Sequence, residues 1–193
     1  MRMHQLHSYL NEYASNPVTE EDFEIIKSHF TNKTLRKRQY FLEEGEICKH
    51  FAFIIKGAMR KYHVDDQGKE HVVDLYIENW WAGDLESFVM LKPSIYYVDA
   101  CEECELMLIT NESKIKLCSQ LPSFNQFLLK LDERNHIATQ RRITSTISSS
   151  AKVRYDDFAS CYPEFLQRFP QHVIASYLGI TKETLSRVRS QVS

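Results

Sequence analysis

The closing run Gln171-His-Val-Ile-Ala-Ser-Tyr-Leu-Gly-Ile-Thr-Lys-Glu-Thr-Leu-Ser-Arg-Val-Arg-Ser190 restricts the fold more than any other part of the chain. Two short apolar patterns flank a single glycine at helix-turn-helix spacing. The first predicts a helix from about Pro170 to Tyr177, with Pro170 at the first helical position, where its missing N–H is no loss. Val173, Ile174 and Ala175 face inward and Leu178 closes that face. Gly179 falls where a left-handed residue ends the helix. Ile180 is expected to anchor the turn in the core, and Thr181 suits the N-cap of the next helix. Leu185 and Val188, three apart, form its buried side.

That assignment leaves Thr181, Lys182, Glu183, Ser186, Arg187 and Arg189 on the outer surface. A helix lying in the DNA major groove reads bases with its N-terminal residues. Glutamate accepts from cytosine N4, and arginine grips guanine O6 and N7 with two bonds. Glu183 and Arg187 stand one turn apart on one face, placed to read adjacent base pairs. Thr181, Lys182, Ser186 and Arg189 suit phosphates, which position a protein without reading sequence. An ordinary helical hairpin with a Glu–Arg pair on its wet side is the plainer reading, but it does not require this ordered set of Ala, Gly, Ile, Leu and Val.

The net charge of −2 does not by itself suggest a nucleic-acid binder, but its distribution does. Residues 123–193 hold ten basic against six acidic side chains, whereas residues 1–122 hold fourteen against twenty. Only the C-terminal part is basic, as expected if one end meets phosphate. Hydrophobic content of 43% excludes a disordered chain. No apolar run approaches membrane-spanning length, and Met1-Arg-Met-His-Gln-Leu-His7 lacks the apolar centre of a signal peptide. A cytoplasmic location without a membrane partner is expected. Five scattered cysteines fit a reducing compartment.

Upstream, residues 4–30 read as helical, broken at Asn16-Pro17, with Thr19-Glu-Glu-Asp22 as a helix start. From Thr34 to about Ile109 short β-rich runs alternate with turn signals, including Asp65-Asp-Gln-Gly68, and imply an all-β sandwich or barrel. Residues 111–120 form a short helix capped by Asn111. Pro122 opens a helix reaching about Ser148, free of glycine and proline, with Phe124, Phe127, Leu128, Leu131, Ala138, Ile143 and Ile147 as an imperfect apolar stripe. A solitary helix of that length usually pairs with another copy. Ser148–Ser150 is the expected hinge, followed by a helix from Ala151 to Cys161. The resulting domains are 1–121, 122–148 and 149–193.

The whole pattern resembles the Crp/Fnr family of bacterial transcription regulators, most closely its Bacteroidetes branch. The likeness is carried by Phe53-Ile-Ile-Lys-Gly57 with Arg60, Asp65-Asp-Gln-Gly-Lys-Glu70, Trp80-Trp-Ala-Gly-Asp84, Ala151-Lys-Val-Arg-Tyr155 and above all Ile174–Arg187. It implies an α+β fold: an N-terminal cyclic-nucleotide-binding-like β-roll (jelly-roll, cupin-like), a long dimerisation helix, and a C-terminal all-α helix-turn-helix domain. It also implies a homodimer, a near-palindromic duplex operator and RNA polymerase as a partner, and it puts Glu183 and Arg187 at the base-reading positions. The chain stops at Ser193, so the wing of the family is expected to be short or missing.

One departure concerns the effector. Cyclic-AMP-binding members carry a Gly-Glu cassette followed by Arg-Ser or Arg-Thr, the arginine neutralising the phosphate. Here Gly83-Asp84-Leu85-Glu86-Ser87 resembles the front of the cassette, but Pro93-Ser-Ile-Tyr-Tyr-Val-Asp99 contains no arginine. Losing that contact costs on the order of 2–5 kcal/mol if buried, roughly thirtyfold or more in affinity. Cyclic AMP is therefore not expected to bind, and the effector is unknown. Gly83–Ser87 with Tyr96 and Tyr97 are the candidate pocket residues for some other molecule; aromatic residues in a small barrel are more often core. Arg141-Arg142, Lys152 and Arg154 near the hinge suit either DNA backbone or plain solvation. Cys101-x-x-Cys104 lacks further ligands at metal or cluster spacing, iron–sulfur members place their cysteines near the N-terminus, where none stands here, and the histidines show no metal spacing. His4 and His7 are expected at the surface. No Gly-x-Ser-x-Gly, P-loop or His-Glu-x-x-His occurs, so no metal site and no catalytic residue is assigned. The competing class is a ligand-binding or protein-interaction module whose helix-turn-helix is vestigial.

Overall fold

The computed structural model describes residues 2–14 and 17–190. In chain order the elements are α1 (Arg2–Tyr13), α2 (Glu20–Ser28), β1 (Thr31–Leu35), β2 (Tyr40–Leu42), β3 (His50–Lys56), β4 (Met59–Val64), β5 (Glu70–Tyr76), β6 (Trp81–Ala82), α3 (Leu85–Met90), β7 (Tyr97–Ala100), β8 (Cys104–Thr110), α4 (Asn111–Gln120), α5 (Pro122–Ser148), α6 (Ala151–Cys161), α7 (Phe165–Arg168), α8 (Gln171–Tyr177) and α9 (Lys182–Ser190). The fold is α+β, as expected. Two compact units form: Met1–Lys61 with Leu75–Arg134, and Tyr62–Asp74 with Asn135–Ser193. The division falls inside α5 and assigns residues 62–74 of the β4–β5 hairpin to the second unit.

Two four-stranded sheets, ordered β1-β8-β3-β6 and β2-β7-β4-β5, make the roll. Strand alternation sorts their side chains into two cores. Leu35, Leu42, Ala52, Ile54, Met59, Val98, Leu106 and Leu108 meet between the sheets. The opposite parity, Phe53, Ile55, Met107 and Ile109, packs against Leu6, Leu10, Phe23, Ile26, Phe124 and Phe127 of the flanking helices. Each of these side chains other than Ala52 contributes about 1.5–3 kcal/mol when fully buried. Gly57, at φ +102, closes the β3–β4 turn where a Cβ would stand 2.5 Å from the Glu103 carbonyl oxygen, so no other residue fits. A buried fork ties β4 to β7: Arg60 Nε donates to Asp99 Oδ1 at 2.9 Å and Nη2 to Oδ2 at 3.0 Å.

Several local expectations need correction. The β region begins at Thr31, not Thr34, because β1 pairs with β8 from Thr31↔Leu108 onward. Helix α3 was not foreseen; six residues are too few to show a period, and only its Asp84 cap is a signal. The cap of α4 is Thr110, whose Oγ1 accepts the Ser113 N–H at 3.1 Å, one residue before the expected Asn111. His7 is half-buried: its ring stacks on Phe23 at 4.4 Å and a ring nitrogen bonds the Val18 carbonyl oxygen at 3.0 Å. Thr19 does cap α2, accepting from Asp22 N–H at 3.1 Å. Asn16 of the expected break, the side chain of His4, and residues 191–193 lie outside what the structure describes.

Helix α5 spans Pro122–Ser148, as its composition predicts. Phe124 and Phe127 are buried in the first unit, whereas Ile137, Ile143 and Ile147 further along are exposed at 49%, 53% and 81%. Ser150 caps α6, its Oγ accepting from Val153 N–H. The second unit has its own core, with Tyr155, Phe158, Phe165, Phe169, Val173, Ile174, Leu178, Leu185 and Val188 all buried.

Candidate nucleic-acid interface

Helix α8 starts at Gln171. Pro170 stands outside it as the cap residue, with ψ 148, so its carbonyl rather than its ring starts the helix: Val173 and Ile174 N–H both donate to it. The helix ends in a double bond pattern. Ile180 N–H donates to Ala175 O and Gly179 N–H to Ser176 O, each at 3.0 Å, which requires the left-handed Gly179 at φ +65. Ile180 itself is only half-buried, because the turn is held by these backbone bonds and by Leu178 rather than by an isoleucine anchor. Thr181 caps α9 through its Oγ1, which accepts the Thr184 N–H at 3.2 Å.

In α9, Leu185 and Val188 turn inward, 1% and 4% exposed, and the helix packs on α6 and α8. That choice of inner face decides the outer one. Thr181, Lys182, Glu183, Ser186, Arg187 and Arg189 are all exposed. The Glu183 carboxyl is held below its usual range, first by its own backbone N–H, then by the Thr181 hydroxyl and the Lys182 charge. It is ionised at neutral pH and presents acceptors only, the state that accepts a hydrogen bond from a base amino group.

The four cations near the hinge separate into different environments. Arg142 is engaged within the second unit: it donates to the Val73 carbonyl oxygen, lies 3.6 Å from Asp74 and sits 4.2 Å over the Tyr177 ring. Lys152 pairs with Asp156 at 2.7 Å. Arg154 runs beneath the turn, its Nη1 3.3 Å from where a Cβ on Gly179 would stand, and its buried Nε has no hydrogen-bond partner. Arg141 lies in an open groove with Gln140, Thr144, Ser148 and Asp157. Ser176, in α8, was not singled out by sequence. Its Oγ accepts the Val72 N–H at 2.9 Å and donates to the Glu70 carbonyl oxygen at 3.2 Å, along the outer edge of β5.

The expected effector residues do not converge. Gly83, Asp84 and Ser87 are buried, while Leu85 and Glu86 are exposed on α3. Asp84 caps α3 by accepting the Glu86 N–H at 3.2 Å, and its other oxygen accepts the Ser94 hydroxyl at 2.8 Å. Ser87 Oγ accepts the Cys48 N–H and donates to the Lys92 carbonyl oxygen. Tyr96 lies under the Lys61 ammonium at 5.2 Å, whereas Tyr97 meets the Tyr40 ring at 5.8 Å. Adjacent residues on a strand edge point apart, so the tyrosines do not form one wall. Trp81 joins Phe30, Phe51 and Phe53 in the helix-facing core.

Burial raises the Cys48 thiol and, to about 12, that of Cys101. Among the described residues no group of three or more His, Cys, Asp or Glu is placed to hold a metal ion. None of the helices among them is long and apolar enough to cross a membrane.

Comparison with known proteins agrees with this architecture. Residues 32–120 match the family described as "Cyclic nucleotide-binding domain". The chain is 23% identical over 192 residues to the "Transcriptional activator protein anr" of Pseudomonas aeruginosa, covering 89% of this chain and 74% of that protein. It is 25% identical over 169 residues to the "Fumarate and nitrate reduction regulatory protein" of Shigella dysenteriae, covering 81% and 66%. In fold it is similar to FixK2 from Bradyrhizobium japonicum, with a TM-score of 0.70, 18% identity and 84% of each chain covered. Both sequence relatives bear the names of regulatory proteins. A segment that matches a cyclic nucleotide-binding domain is thus followed by a helical C-terminal unit, in a chain similar along most of its length to proteins named as transcriptional regulators.

Proposed function

We propose that this protein is a homodimeric, sequence-specific DNA-binding regulator that reads the major groove with α9 and does not respond to cyclic AMP. The observation that carries the reading is the split of α9 into two faces. Leu185 and Val188 are buried, and every side chain suited to bases or phosphates is exposed on the other side. Glu183 and Arg187 contact adjacent base pairs; Thr181, Lys182, Ser186 and Arg189 hold phosphates. The exposed Ile137, Ile143 and Ile147 on the C-terminal half of α5 support pairing of two copies through residues 122–148. A dimer of this kind takes a near-palindromic operator with half-sites about 34 Å apart. RNA polymerase and a cytoplasmic setting fit the same reading.

The cassette segment does not fit a cyclic phosphate. Asp84 is buried at 6% exposure, its oxygens already accept Glu86 N–H and Ser94 hydroxyl, and Ser87 is tied to Cys48 and Lys92.

Selection from randomised duplex DNA with the full chain tests the reading. A near-palindrome is expected. Arg187→Ala should relax preference at one base pair by about 1–3 kcal/mol, and affinity should fall steeply with added salt. A pool without enrichment, or one whose motif is unchanged by Arg187→Ala and by Glu183→Ala, would return the helix-turn-helix to a vestigial role.

A further inference from the structure

The first unit carries a cavity of about 420 Å³ that borders the cassette, since the N–H of its lining residue Cys48 donates to Ser87 Oγ. Lys33 of β1, Phe41 of β2, Ile47 and Lys49 of the following loop, and His50 of β3 line it. Leu42 and Cys48, 3% and 2% exposed, form a dry floor, and the Cys48 thiol is engaged with the His50 carbonyl oxygen. The Lys33 ammonium lies 5.6 Å over the Phe41 ring, so charge and aromatic face already share the space. Ile47 offers a second apolar wall, 39% exposed.

The electrostatics of the cavity run against those of the region around it. Residues 1–122 carry an excess of acids, yet here two ammonium groups face one carboxylate. That carboxylate, Glu46, accepts the Glu43 N–H at 3.2 Å. Burial, then Lys33, then Lys49 hold the His50 imidazole below its usual range. The ring is accordingly neutral at pH 7 and keeps one N–H to donate. A volume of this size, apolar walls and a few convergent polar groups are the usual makings of a small-molecule site.

We infer that this cavity binds a small organic anion, a carboxylate carried on an apolar ring, with its charge between Lys33 and Lys49 and its ring against Phe41 and Ile47. The inference does not depend on the DNA-reading assignment, because binding is measured on the protein without DNA. A bare oxyanion satisfies the lysines but leaves the apolar walls wet, and a neutral ring does the reverse; both should bind more weakly.

The test is a titration of the ¹⁵N-labelled full chain with benzoate, benzamide and inorganic phosphate, followed by amide chemical shifts. Saturable benzoate shifts confined to residues around 33, 41 and 46–50 are expected, with benzamide and phosphate each weaker by roughly tenfold or more. The double variant Lys33→Met, Lys49→Met keeps the side-chain stems, and its benzoate affinity should drop at least about tenfold. Its spectrum away from the cavity reports that the fold is intact, and the wild-type comparison of benzoate with benzamide stands without any variant. Absence of saturation, equal responses to benzoate and benzamide, phosphate binding as well as benzoate, or benzoate binding unchanged in the double variant would each overturn the assignment.

Discussion

The Ser94 hydroxyl donates to Asp84 Oδ2 at 2.8 Å, joining two buried side chains on either side of α3. The same Oγ accepts the Tyr96 N–H at 3.0 Å, so one hydroxyl fixes both the α3 cap and the entry to β7. Ser94→Ala should therefore cost about 1–3 kcal/mol, the penalty of leaving a buried acceptor short of a partner. Chemical denaturation measures it; a change within about 0.5 kcal/mol would mean that the bond does not hold the segment. Calorimetry with cyclic AMP on the wild type should give no Kd at or below about ten micromolar.

Gly179→Ala tests the turn. A left-handed alanine costs roughly 1–2 kcal/mol, and its Cβ would also press on Arg154 Nη1 at 3.3 Å. Thermal denaturation should show the loss, with Gly179→Asn milder because asparagine visits this region more readily. Equal stability of all three proteins would contradict the left-handed cap.

Ser176→Ala removes two bonds to the β5 edge and leaves the Val72 N–H without its hydroxyl acceptor. Each net hydrogen bond is worth about 0.5–1.5 kcal/mol. Hydrogen exchange at the Val72 amide should accelerate roughly two- to tenfold. Unaltered protection there would show that the hairpin edge is held by other contacts.

The hairpin turn should also have a distinctive acid titration. Asp65 is lowered from 3.8 to about 2, first by its hydrogen bond with His71, 2.7 Å away, and then by the Lys69 and Gln67 N–H groups. Because the folded value is depressed, this contribution to stability is complete above the unfolded carboxylate value. It fades as pH falls from there through about 2. Carboxyl carbon shifts should place the Asp65 midpoint near 2, and His71→Ala should move it back towards 3.8. A wild-type midpoint near the ordinary value would dissolve the pairing.

Much of the architecture was legible because its signals are local. The glycine before Ile180, the threonine cap of α9 and the Leu185–Val188 spacing each act within one or two helical turns. The Pro122–Ser148 helix was readable from the absence of breakers. Helix α3 was missed because six residues show no period, and His7 because its burial depends on Phe23 of α2 and Val18 of the preceding connection folding back onto α1. Tyr96 and Tyr97 read as a pair in sequence, yet Tyr96, just before β7, lies under Lys61 and Tyr97, its first residue, meets Tyr40.

The amino-acid sequence alone determined which side of α9 faces outward, since two apolar residues three apart must be buried together and the charged ones then have nowhere else to go. It also showed that the arginine expected of a cyclic-nucleotide cassette is missing. Tertiary structure decided the rest: that Asp84 is consumed by Ser94, that Arg60 is locked to Asp99, that Ser176 closes the edge of β5, and that Lys33, Lys49 and His50 share one cavity. Those partners lie 10 to more than 100 residues apart, or meet only where strands and loops converge. No local propensity encodes such pairings; they exist only once sheet register and helix packing have brought the chain together.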